Sequence, residues 1–216
     1  MRIRLLLITI LLWVSPAFAR EEKPGQFDYY VLVLSWSPTF CGTNAAQTEA
    51  VQCAPGRRLA FVVHGLWPQY HQGWPDFCDT REGWVNEEHI QQMMDIMPSK
   101  RLVIHQWRKH GSCSGLSQQD YFEATRSARE ALRIPARYLS PGADLVVTPQ
   151  QLVSDFTKSN RGLLTEMVSV QCGHGKGTAS LRELRICLDR AGAFAPCGEN
   201  ERRQCQARQL ILPKVR

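Results

Sequence analysis

Phe61-Val62-Val63-His64-Gly65-Leu66-Trp67-Pro68-Gln69-Tyr70 decides how the chain is read. Residues 59–64 are apolar on both faces, as a strand covered on both sides requires, and Gly65 with Pro68 then directs the chain out into a loop. His64 is therefore expected at a sheet edge beside the Trp67 ring, on the kind of loop that carries sites. A buried ring bonded to a backbone carbonyl explains a lone histidine equally well. His64 acquires meaning only from its company.

Working outward, Tyr29–Trp36 has the same two-faced character, with Tyr29, Val31 and Val33 on one side and Tyr30, Leu32 and Leu34 on the other. Further strands are expected at residues 164–172, 184–188 and 209–212, so the last third is mostly sheet. Helix signals fill the middle. Asn86 caps a helix with Glu87 and Glu88 in its first turn and Ile90, Met93, Met94 and Met97 on one face, before Pro98 stops it. The methionine stripe is core packing by default. Ser117 with Asp120 starts a second helix that ends before Pro135, and Thr148, Pro149 and Gln151 open a third that holds Leu152 and Phe156. Helices between terminal groups of strands predict an α+β fold.

The second telling segment is His105-Gln106-Trp107-Arg108-Lys109-His110-Gly111-Ser112-Cys113. As a helix it pairs His105 with Lys109 and Gln106 with His110 at four-residue spacing, so four polar side chains converge while Trp107 turns to the core. Gly111 is placed to end the helix as a left-handed residue. A solvated basic face would explain Arg108 and Lys109, but it explains two histidines and a tryptophan less well. Histidines five apart lie about 140 degrees round a helix, a poor arrangement for a shared metal, and the lysine between them would repel a cation.

The setting comes from the ends of the chain and its cysteines. Residues 1–19 read as an export leader: Arg2 and Arg4, an apolar run from Leu5 to Val14, Ser15-Pro16, and Ala17-Phe18-Ala19 as the cleavage site. The apolar run is about half what a membrane span needs. Removing 19 residues from 216 leaves 197, which suits one domain over residues 20–216 with residues 20–26 as a loose new N-terminus. The leader carries two arginines and no acid, so the formal charge of +6 becomes +4. That balance suits a polyanionic partner but is common among unrelated secreted proteins. Eight cysteines follow the leader, Cys41, Cys53, Cys78, Cys113, Cys172, Cys187, Cys197 and Cys205. An even count behind an export leader predicts four disulfides, and without a Cys-x-x-Cys pair zinc is disfavoured. No Asn-x-Ser/Thr sequon occurs, which is compatible with a periplasmic protein.

Two histidines and a lysine suit the cleavage of a ribose phosphodiester. That reaction needs a base for the 2′-hydroxyl, an acid for the departing 5′-oxygen and a cation for the crowded phosphorane. An ordinary imidazole, with a pKa of about 6.5, serves either proton role near neutral pH.

The pattern H-G-L-W-P at His64 to Pro68, followed by H-x-W-x-K-H-G-x-C at His105 to Cys113, resembles the two active-site segments of the ribonuclease T2 family of secreted, base-nonspecific endoribonucleases. Phe27-Asp28-Tyr29-Tyr30-Val31-Leu32-Val33-Leu34-Ser35-Trp36-Ser37-Pro38 is similar to the family's opening strand. The resemblance implies a central antiparallel sheet flanked by helices, and an endonuclease that cuts single-stranded RNA through 2′,3′-cyclic phosphates to 3′-phosphate ends. It assigns His110 as general base, His64 as general acid, His105 to the phosphate and Lys109 to the charged transition state. Trp67, Gln69 and Tyr70 would bind substrate, with Trp67 stacking on a base. No cofactor, metal or obligate protein partner is implied. A monomer that is secreted or periplasmic, probing RNA free of any membrane, is expected. The implied disulfides are Cys41–Cys53, Cys78–Cys113, Cys172–Cys205 and Cys187–Cys197, one of 105 possible pairings.

Two positions depart from the pattern. Gln106 stands where the family usually has glutamate, so an altered pH dependence is expected, and Gln69 replaces an acid found in some relatives. Gln106 is also the one feature that favours an RNA-binding protein with weak activity on the same fold.

Overall fold

The computed structural model describes residues 23–173 and 177–215, and the export leader expected at residues 1–19 lies outside them. The elements in chain order are β1 (Tyr29–Trp36), α1 (Ser37–Cys41), α2 (Ala50–Cys53), β2 (Phe61–Gln69), α3 (Glu87–Met93), α4 (Lys100–Lys109), α5 (Gln118–Ala131), β3 (Leu145–Val147), α6 (Pro149–Ser159), β4 (Val168–Cys172), β5 (Thr178–Leu188) and β6 (Gln209–Leu212). The fold is α+β. The strands form one sheet in the order β2-β1-β5-β6-β3, with β4 also paired to β5. Pairing is antiparallel except between β5 and β6, which run parallel over Thr178–Ser180.

The unbroken apolar run of β1 follows from its place inside the sheet. Tyr30, Leu32, Leu34 and Trp36 enter the main core, whereas Tyr29, Val31 and Val33 face a smaller cluster with Cys187, against which Trp67 and Cys197 pack. Three helices start at the capping residues that the sequence marks. Asn86 accepts from the Glu88 N–H, Ser117 from the Asp120 N–H, and Thr148 forms a capping box with Gln151. The expected helix through Met97 is shorter, because α3 ends at Met93 and the chain continues in turns. The reason lies in the neighbouring strand: the Ile96 carbonyl accepts from the N–H of Val63 in β2 at 2.8 Å.

β2 departs from the expected strand and loop. It runs through Gly65 and Pro68 to Gln69 and pairs with β1 throughout. Pro68 is tolerated because β2 is the outer strand of the sheet, where a missing N–H costs no ladder bond. The segment expected to be loose is tied down where it is described. Gly25 N–H donates to the Cys113 carbonyl at 2.9 Å. Gly25 and Gly115 both adopt positive φ, and a Cβ on Gly115 would lie 2.7 Å from the Gly25 Cα, so two glycines are needed for this crossing.

The four disulfides join Cys41 to Cys53, Cys78 to Cys113, Cys172 to Cys205 and Cys187 to Cys197. The first clips α1 to α2 and the second holds the chain beyond β2 against the end of α4. The third ties the end of β4 to the approach to β6, and the fourth closes the loop that leaves β5. Among the described residues no helix is long and apolar enough to cross a membrane.

Candidate active site

A bulge in β2 aims His64. Val63 pairs with Leu34 and Gly65 with Val33, so β2 holds one residue more than β1 between these pairs, and that residue is His64. Phe61, Val63 and Leu66 point into the main core, and Trp67 lies on the opposite face. The extra residue places a second ring on that opposite face. The His64 ring stands edge-on to Trp67 with centroids 5.3 Å apart, and its Nδ1 lies 2.8 Å from Oε1 of Glu183.

Helix α4 supplies the facing groups. Val103 and Trp107 anchor it in the core, and the Trp107 indole donates to the Glu82 carbonyl at 2.7 Å. That rotation leaves His105, Gln106, Lys109 and His110 lining one cavity with His64 and Trp67. His110 is the residue after the last helical turn. Gly111 is not the expected left-handed cap, since it opens a 3₁₀ turn, Gly111–Cys113. Space dictates glycine there: a Cβ would lie 2.5 Å from the Trp107 ring and 2.9 Å from Tyr121.

Gly65 has a similar reason. A Cβ on it would lie 1.9 Å from the Gln106 side-chain oxygen and 2.6 Å from the Trp67 indole nitrogen. Without that Cβ, Trp67 Nε1 donates to Gln106 Oε1 at 2.7 Å. The tethered indole then stacks on the His110 ring, with centroids 4.9 Å apart and planes at 18°.

The electrostatics separate the two rings. His110 is buried, and burial followed by the charges of Lys109, His105 and His64 pushes it down to about 3. Among the described residues no group bonds its buried Nδ1. His105 is more open and is lowered by burial and then by Lys109, His64 and Arg108. Lys109 holds its ammonium 4.0 Å from the Asp76 carboxylate and 5.8 Å from the Phe77 ring centre.

Sequence reasoning missed Glu183 and Arg185 on β5, which pair with Ser35 and Val33 of β1. Arg185 donates to Glu183 Oε2 through Nε at 3.1 Å and Nη2 at 2.8 Å, and its guanidinium lies 5.1 Å from the Trp67 ring centre. Burial alone would raise the Glu183 carboxyl, but the bonds and charges of His64 and Arg185 outweigh it and hold the group at about 2.

Two of the expected substrate-binding residues line the cavity and one does not. Trp67 and Gln69 face it, and Gln69 accepts from the Asn200 amide at 3.0 Å. Tyr70 is buried in the main core, and its carbonyl accepts from Asn200. Asn200, Glu201 and Arg203 close the far wall, and Trp74 stands at the rim. The cavity measures about 890 Å³. A second, of about 580 Å³, is lined by Ser35, Val62, Leu102 and Arg108, and it shares His64 and His105 with the first. The two histidines thus stand at the seam between two hollows.

Known proteins resemble the chain in sequence and in fold. The Ribonuclease T2 family matches residues 27–197. A ribonuclease of Aeromonas hydrophila is 35% identical over 220 aligned positions, covering 94% of each chain. The fold is similar to that of an RNase-related protein from Calystegia sepium, with a TM-score of 0.69 at 20% identity, over 88% of this chain and 98% of the other. It is also similar to that of RNase NT solved with 5′-AMP, with a TM-score of 0.60 at 24% identity, over 80% and 95%. The chain belongs to the ribonuclease T2 family and is a ribonuclease of the T2 type.

Proposed function

We propose that the protein cuts single-stranded RNA internally, with little base preference and without a metal, through 2′,3′-cyclic phosphates to 3′-phosphate ends. His110 takes the proton of the 2′-hydroxyl as that oxygen attacks the adjacent phosphorus. His64 gives a proton to the 5′-oxygen as its bond to phosphorus breaks, and His105 and Lys109 bind and neutralise the phosphoryl oxygens. In the second step water replaces the departed nucleoside and the proton roles reverse.

The observation that carries this reading is the contrast between the two rings on one cavity. His110 is buried and held neutral, as a base must be, while His64 is half-exposed and bonded to a carboxylate. Several features support the rest. Hollows on both sides of His64 and His105 leave room for a nucleotide on either side of the phosphate. Trp67 presents an indole that any base can stack on, and stacking carries little sequence preference. Gln106 fixes Trp67 through an amide that accepts as well as a glutamate would. The expected leader and the four disulfides fit an exported protein in an oxidising compartment, where the chain is proposed to act as a monomer.

The test is incubation with mixed RNA in EDTA, with analysis of the ends produced. Cyclic-phosphate ends are expected, and His64→Ala and His110→Ala should each lower the rate by about 10²- to 10⁴-fold. RNA binding without cleavage would overturn the enzymatic reading. Sensitivity to EDTA would overturn the metal-free one, and full activity in either variant would overturn the roles.

A further inference from the structure

The bulge in β2 and the register of β5 bring together two groups that lie 119 residues apart in sequence, His64 and Glu183. Glu183 is 8% exposed, in the middle of a sheet, where a charged side chain is costly unless it is paired. Every strong contact it makes is accounted for by one arrangement. Oε1 takes the Nδ1 of His64, and Oε2 takes two guanidinium donors of Arg185. Arg185 is fixed in turn by the Trp67 ring under it and by Glu201, 3.9 Å from its Nη1.

We infer that Glu183 is the positioning residue of the general acid: its carboxylate fixes the His64 ring through Nδ1, so that Nε2 carries the proton delivered to the leaving 5′-oxygen. This rests on the ribonuclease reading and deepens it. A carboxylate that accepts from Nδ1 settles the tautomer and rotation of the ring, and it stabilises the charge of the doubly protonated form. Of the other groups that line the two hollows beside His64, His105, Arg108, Lys109 and His110 supply positive charge or a neutral ring, and the acids Glu49, Glu199 and Glu201, among the described residues, do not bond the imidazole. Glu183 is the carboxylate bonded to His64 from the sheet side, and Arg185 keeps it ionised without displacing it from the ring.

The proton balance is closed. His110 gains the 2′-hydroxyl proton as the new bond from the 2′-oxygen to phosphorus forms. His64 loses its Nε2 proton to the 5′-oxygen as the old bond breaks, and Glu183 keeps its charge throughout. A defect in Glu183 should therefore fall on leaving-group departure alone.

That restriction gives the test. Glu183→Gln keeps the shape and an acceptor oxygen but removes the charge. On RNA, kcat should fall about 10- to 100-fold with KM little changed, and the basic limb of the pH–rate curve should move to lower pH. On a ribonucleoside 3′-aryl phosphodiester, whose phenolate leaves without a proton, the rate should change by no more than about two-fold. Equal losses on both substrates would overturn the inference and indicate a merely structural role. A measurement without turnover separates this idea from the ribonuclease reading. In the native protein, ¹⁵N-resolved spectra should show a hydrogen-bonded Nδ1 proton on His64, absent in Glu183→Ala. If that signal is missing in the native protein, the inference fails even where RNA is cleaved. If it is present in a protein that does not cleave RNA, only the ribonuclease reading fails. Should both variants misfold, the native spectrum still decides.

Discussion

The Trp67 indole donates to the Gln106 amide oxygen at 2.7 Å across the space that Gly65 leaves open, and the same indole is stacked on His110. The Gln106 side chain thus acts on the His110 ring through the indole, while its backbone carbonyl accepts the His110 N–H at 3.0 Å. The position is nearly closed to solvent, so its charge matters as much as its shape.

A glutamate at 106 would accept the same indole bond while placing a negative charge close to the His110 ring. Opposite charge favours the protonated imidazole, so Gln106→Glu should raise the pH below which His110 is protonated and idle. The acid limb of the pH–rate curve is expected to move up by roughly one unit. The native protein then keeps its base available at lower pH than the variant does. Superimposable pH–rate curves for the two proteins would sink the idea.

Gly65→Ala tests the same bond sterically. The added Cβ cannot share space with the Gln106 oxygen, so either the strand or the indole must shift. Overpacking of this kind typically costs about 1 to 3 kcal/mol. Thermal unfolding should show that loss, and KM for RNA should rise because Trp67 no longer holds its place. A variant with native melting and native KM would show that the site relaxes around the methyl group.

These residues also show which parts of the sequence could be read. The spacing of His105, Gln106, Lys109 and His110 is a local property of one helix, and periodicity exposes it directly. The two-faced β1 is equally legible, because burial on both sides needs apolar residues at every position. Gly65 and Pro68 misled because both residues occur in loops and in edge strands alike, and only pairing with β1 decides between the two. The bulge at His64 is invisible for the same reason, since it exists only relative to Val33 and Leu34. Glu183 and Arg185 alternate with apolar neighbours, so they read as the solvent side of a strand until the topology sets that side against His64.

The Cys78–Cys113 bridge should matter to activity more than the others do. Cys113 lies three residues after His110, and Phe77, next to Cys78, donates its N–H to the Lys109 carbonyl at 2.9 Å. The bridge therefore fixes the end of α4 that carries both groups. Replacing both cysteines by alanine should lower stability by about 2 to 4 kcal/mol. Replacing Cys41 and Cys53 should cost a similar amount, but at a temperature where both variants are folded only the first should lose most of its activity. Equal activity losses would show that the bridges act through global stability alone.

Stability should fall with acid, partly through His110 itself. Its pKa is near 6.5 in the unfolded chain and about 3 in the folded one, so below pH 6.5 the unfolded state binds a proton that the folded state refuses. The contribution is fully present above pH 6.5 and is lost as pH falls from there to about 3. Glu183 works in the same direction over a lower window, from its ordinary value of 4.5 to about 2. The Glu201 carboxyl, raised by burial, works the opposite way and softens the decline below its own folded value. Replacing His110 with phenylalanine keeps a ring against Trp67 and removes only the titration. The melting temperature of His110→Phe should therefore drop less between pH 7 and pH 4 than that of the native protein, a window set by the shift of His110. Calorimetry across that window reads the difference directly, and parallel curves would mean that His110 titrates alike in the folded and unfolded chain.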